Sequence, residues 1–169
     1  MNEVQRIARQ KNVLKAAEAV WAANKYFVLG CSQKHYLQIR SHFRPDQRDL
    51  SSAYRLLEQT EDDFRSVVVS DLPELPNALQ HVMGYFKKLW TQEDKQALNI
   101  MIKEHPEKAL RYLEEQSFLH HVDYLLPCRL WPKNRAKPFN GVPISITENG
   151  QSYPPYTWLW KGDHLVLNE

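Results

Sequence analysis

The sequence predicts a mainly α fold, an antiparallel bundle of about five to six helices with a small C-terminal β-hairpin tail. Three observations carry that reading. Apolar residues recur at three- and four-residue steps through most of the first 125 positions. Short links separate these periodic stretches, which favours antiparallel neighbours. After Pro127 the helical period stops, and prolines recur at 132, 138, 143, 154 and 155. At 169 residues one compact domain is expected, large enough to bury a core without disulfides or metals. Its helical body is assigned to residues 1–131, and residues 132–169 form a Pro- and aromatic-rich tail packed on it.

Taken in order, Val4, Ile7, Ala8, Leu14, Ala17, Val20, Trp21 and Val28 mark a helix over 2–29, and Gly30 permits a break. Ser32 is placed to cap a short helix at about 33–43, with Tyr36, Ile39 and Phe43 inward. Ala53, Leu56, Leu57, Thr60 and Phe64 mark a helix over about 47–69. The run Val67-Val68-Val69 is read as its buried end, with a strand as the alternative. Two prolines make Asp71–Pro76 a loop. Helices follow at about 76–90 and 92–104, the second capped by Thr91, and Pro106 opens a last one to about 125. In the tail, Ile144-Ser145-Ile146-Thr147 alternates like a strand, and Asn149-Gly150 is a strong hairpin signal. Tyr156–Trp160 and His164–Leu167, joined by Lys161-Gly162-Asp163, form a second expected hairpin. The aromatic segment Tyr153–Trp160 is expected to cover the helical body.

The net charge of +2 is too small to argue nucleic-acid binding by itself. Its distribution says more. Residues 1–48 hold nine basic side chains against three acids, an excess of six. Arg129, Lys133, Arg135 and Lys137 form a second cluster with no acid between them. The two cysteines, Cys31 and Cys128, are far apart, so neither a disulfide framework nor a cysteine metal site is expected. No apolar run reaches the roughly 20 residues of a membrane span, and there is no signal-peptide core, so a cytoplasmic location is expected.

Three segments concentrate polar and aromatic residues: Asn24–Ser32 with His35-Tyr36, Asn77–Lys88, and Leu119–Leu125. In the second, Asn77 and His81 share a helix face with Gly84 close by. A helical glycine costs about 1 kcal/mol relative to Ala and needs a reason. That reason is either the floor of a polar pocket or tight helix packing around a satisfied histidine. Seven histidines are present, but no HExxH or similar spacing occurs, so no metal site is assigned. Cys31-Ser32 at a helix start could form an activated thiolate. A buried small side chain is the simpler reading of Cys31, and no catalytic residue is assigned.

In order and spacing these segments resemble the YbgA-like family of bacterial proteins of unknown function. Its members show an HKYLLMAHS…HY segment, an N-V-L-x-H-x-x-G-Y-F-K-K segment and a later L-R-H-Y helix. The resemblance covers about residues 17–131, is most specific in Asn77–Lys88, and has no counterpart for the tail. Asn24 and Cys31 stand where the family usually has histidine, so no acid–base pair carries over to them. That family's domain occurs alone or behind an iron–sulfur desulfidase domain acting on thiolated uracil. The resemblance therefore implies a non-catalytic accessory module that binds structured RNA such as tRNA, linked to thiolated-uridine metabolism. Two cysteines cannot hold a cluster that needs three or four thiolates, so no desulfidase activity is expected of this chain alone. No cofactor and no membrane partner are expected.

Within that reading, Lys25, Lys34, Arg40, Lys87 and Lys88 are the candidate phosphate contacts. Tyr26, Asn77, His81, Tyr85 and His121 are the candidates for base stacking or a pocket. Two alternatives stand beside it. One is a small-molecule binder or enzyme with a polar pocket around Asn77, His81, Tyr85 and His121. The other is an interaction partner of a separate desulfidase or DNA-repair enzyme.

Overall fold

The computed structural model describes residues 10–145, 147–148, 150–152 and 154–168. Val4, Arg6, Ile7, Ala8 and Arg9 of the expected first helix lie outside the described residues, as do Ile146, Asn149 and Tyr153. Seven α-helices are present among the described residues: α1 Gln10–Cys31, α2 Gln33–Ser41, α3 Leu50–Asp63, α4 Leu75–Met83, α5 Gln92–Glu104, α6 Pro106–Leu119 and the single turn α7 Pro132–Arg135. Short 3-10 turns lie at Val69–Asp71, Gly84–Phe86 and Asp123–Leu125. The mainly α fold with a small β tail is therefore as expected.

The helix starts follow local capping chemistry. The Ser32 hydroxyl accepts from the His35 amide at 3.2 Å and opens α2. Thr91 and Asp94 exchange side-chain and backbone hydrogen bonds, a reciprocal cap that fixes α5 at Gln92. Asp49 caps α3 through Ser52.

The helix ends differ from expectation, each for a visible reason. α1 runs through Gly30 rather than breaking there. A Cβ on Gly30 would sit 3.3 Å from Leu72 Cδ1 and 3.6 Å from Ala78, so this glycine serves the close packing of α1 on α4. Gly84 is the reverse case. Nothing lies within 4 Å of its would-be Cβ, and α4 ends at it. Neither a pocket floor nor a crossing helix explains Gly84. α3 stops at Asp63, not 69. There the amides of Arg65 and Val67 bond back three residues, to Asp62 and Phe64, and Arg135 holds the carbonyls of Phe64 at 2.6 Å and Val67 at 2.8 Å. The valine run is thus neither helix end nor strand: Val68 is 59% exposed and only Val69 is buried. α6 stops at Leu119 because His121 adopts φ 52°, and the amides of His121 and Val122 bond back to Phe118 and Ser117. That is a Schellman stop with histidine where glycine usually stands.

The tail forms β1 Gly141–Ile144, β2 Thr147–Glu148, β3 Gln151–Ser152, β4 Tyr156–Trp160 and β5 Leu165–Leu167. A three-stranded antiparallel sheet has the order β1-β4-β5, and β2 pairs with β3 across the turn containing Gly150. Val142 lies opposite Trp158, and Trp160 opposite Leu165. These four residues are buried on one sheet face. Trp160 meets Phe43 and Tyr54 of the helical body. The tail therefore supplies core: Trp158 and Trp160, like Trp131 just before the tail, are among the largest fully buried side chains.

Candidate functional site

α1 presents two chemically similar sides over Asn24–Phe27. On one, Asn24 and Phe27 meet arginines from beyond α6. Arg129 forms a fork on Glu61 at 2.7 and 3.0 Å and also donates to Asn24 Oδ1 at 3.0 Å. The Asn24 amide in turn donates to the carbonyls of Val20 and Phe139. The Arg135 guanidinium lies over the Phe27 ring at 4.4 Å. Arg129 is buried and its Nη donors are used, so it is scaffold. The expected second basic cluster is thus divided: Arg129 and Arg135 turn inward, while Lys133 and Lys137 are exposed.

The other side is open. Lys25 Nζ lies 4.7 Å from the centroid of the Tyr124 ring and 5.1 Å from that of Tyr26. Tyr85 stacks on Tyr124 with centroids 5.6 Å apart, and meets Tyr26 edge-on at 6.0 Å. The Tyr26 and Tyr85 hydroxyls share a 2.7 Å hydrogen bond. Tyr26 is buried, whereas Tyr85 and Tyr124 are 37% and 42% exposed. Burial, with the Tyr85 hydrogen bond second, pushes the Tyr26 phenol well above its ordinary range, so it stays neutral and anchors Tyr85. Lys25 forms no ion pair with a described residue. A cation held against aromatic faces with no carboxylate to neutralise it remains free for an incoming anion.

The structure therefore brings Lys25, Tyr26 and Tyr85 together, and adds Tyr124, which was not among the expected site residues. The third motif held the signal for Tyr124, but its histidines drew the assignment instead. Lys87 and Lys88 are exposed just beyond Tyr85. Phe86 also meets His120, so the 84–90 segment and the end of α6 are neighbours. Lys34 and Arg40 are exposed on α2, and among the described residues no hydrogen bond, ion pair or ring contact joins either to this cluster. Asn77 is half-buried, while His81 and His121 are exposed. Among the described residues, no hydrogen bond or ring contact joins Asn77, His81 or His121 to one another or to Tyr85. Burial raises the Cys31 thiol to about 12, so at neutral pH it is not the activated thiolate considered from its position. Among the described residues no group of three or more His, Cys, Asp or Glu is placed to hold a metal ion. No described helix is long and apolar enough to cross a membrane.

Residues 25–125 match the profile of DUF1722, described as a protein of unknown function. The chain belongs to the DUF1722 family. The match spans Lys25, Tyr26, Tyr85 and Tyr124, so the open aromatic cluster lies wholly inside the DUF1722 region. Asn24, Arg129 and Arg135 of the closed side fall outside it. No curated protein and no solved structure matches the chain.

Proposed function

We propose that this DUF1722 chain is a YbgA-like, cytoplasmic, non-catalytic module that binds structured RNA, tRNA above all, in thiolated-uridine metabolism. It would work beside a separate desulfidase rather than as one. The reading rests on one observation: the Lys25 cation, with no ion pair to a described residue, lies against Tyr124, whose ring stacks on exposed Tyr85. Exposed tyrosine faces accept unstacked bases whatever their identity, and neighbouring cations hold the phosphates. Lys87 and Lys88 extend the positive charge along the same segment, while Lys34 and Arg40 provide a second contact on α2. The polar-pocket alternative has less support, because among the described residues no hydrogen bond or ring contact joins its four residues, and none of them lines the cavity beside the 65–70 loop.

The test is tRNA binding by fluorescence anisotropy across a salt series. Affinity should fall steeply between about 50 and 200 mM salt, and Lys87→Ala and Lys88→Ala should each lower the logarithmic salt slope by about 1. Absent binding at low salt, or affinity indifferent to salt, overturns the proposal.

A further inference from the structure

A cavity of about 440 Å³ opens where the 65–70 loop and the first turns of α6 and α7 meet. None of the proposed RNA contacts lines it. Its apolar wall comes from Val67, Val69, Leu110 and Pro132, and Ser66 and Ser70 add hydroxyls. Three guanidinium side chains, Arg65, Arg111 and Arg135, also line it, against the single carboxylate of Glu107. Arg65 is neutralised by Asp62. Arg135 is not: its Nη donors go to backbone carbonyls, and no carboxylate of a described residue lies within 4.0 Å of it. Arg111 is exposed and forms neither a hydrogen bond nor an ion pair with any described residue. The cavity thus combines an apolar wall with an excess of positive charge and one guanidinium fork that has no partner among the described residues.

We infer that this cavity is a binding site for a small organic anion, with a flat apolar body and one carboxylate, sulfonate or phosphate-ester head. The body packs on Val67, Val69 and Leu110, and the head takes the free Arg111. The volume falls in the usual range for small-molecule sites, about 300–1,000 Å³. A planar guanidinium pairs with such heads through two parallel hydrogen bonds, which a neutral ligand cannot match. The inference goes beyond the RNA reading and shares no residue with it.

The full chain is titrated with anilinonaphthalene sulfonate, an anionic aromatic dye, and with the neutral N-phenylnaphthylamine, with circular dichroism as the check on folding. One anionic dye should bind per chain. Arg111→Ala should weaken it about tenfold and leave the neutral dye unchanged. Ser66→Trp, at an exposed position on the wall, should fill the space and remove both. Leu119→Asp, at the far end of α6, should change neither, and tRNA should not displace the dye. The inference is overturned if Arg111→Ala and Ser66→Trp leave the affinity intact. It is equally overturned if Leu119→Asp abolishes binding, if both dyes respond alike to Arg111→Ala, or if tRNA competes.

Discussion

The two sides of α1 around Asn24–Phe27 are built from the same ingredients, basic side chains on aromatic rings, and have opposite fates. On the closed side Arg129 and Arg135 lie over Phe27, and their Nη donors are consumed by Glu61, Asn24 and four backbone carbonyls. On the open side Lys25 lies over Tyr26 and Tyr124 with no ion pair to a described residue, and two of the three neighbouring rings face solvent. Basic residues interleaved with aromatics therefore do not by themselves indicate a binding surface. What separates scaffold from site is whether the donors are already satisfied. A buried arginine whose Nη donors are spent holds chain segments together, while a lysine over an exposed ring is still available.

Four measurements would break or sharpen this contrast. The largest effect is expected on the closed side. Arg129→Ala strands the Glu61 carboxylate and should cost about 3–5 kcal/mol in urea unfolding. The double variant Glu61→Leu with Arg129→Met should lose much less than the two single changes together; additive losses would show that the pair is not coupled. On the open side, Tyr124→Ala should cost about 1–3 kcal/mol of RNA affinity with little change in stability. The reverse pattern would mean that Tyr124 is scaffold too.

The third measurement asks how dry the closed side is. Cys31 ends α1, and burial raises its thiol from 9.0 to about 12. Above about pH 9 the unfolded thiol loses its proton while the folded one keeps it. The unfolded state then binds fewer protons, so stability present below about pH 9 is lost as pH rises, by at most about 1.4 kcal/mol per pH unit for this group. Buried Cys128 behaves alike. Unfolding midpoints at about pH 8 and about pH 10 should differ, and Cys31→Ala should narrow the gap. An unchanged gap would mean that the thiol is hydrated. The smallest effect is at His121. Its φ of 52° is relieved by glycine, so His121→Gly should raise stability by roughly 0.5–1 kcal/mol in thermal unfolding. A fall in stability would show that the imidazole makes a contact worth more than the strain.

The starts of α2 and α5 were legible because their caps are local: Ser32 and the Thr91–Asp94 pair need only residues three positions away. The ends were not. The chain just beyond α3 is held by Arg135, about 70 residues further along, and α6 is stopped by a histidine that carries no stop signal of its own. The two glycines exchanged roles for the same reason, since close approach at Gly30 depends on Leu72 and Ala78, which no local pattern reveals. Lys25, Tyr26 and Tyr85 were named from motifs that the fold does bring together. Tyr124 completes the group only through tertiary stacking. The arginine-lined cavity had no sequence signal, because Arg65, Arg111 and Arg135 come from three separate segments.

The hydrogen bond from the Asn24 amide to the carbonyl of Phe139 spans 115 residues, and this has a consequence for how the polypeptide is made. At ribosomal rates of roughly 5–20 residues per second, about 6–23 s pass between the appearance of Asn24 and that of its acceptor. Throughout that interval the face of α1 carrying Asn24 and Phe27 has no lid. The nascent chain should be most open to chaperone capture until the segment carrying Arg129 and Phe139 emerges and covers it.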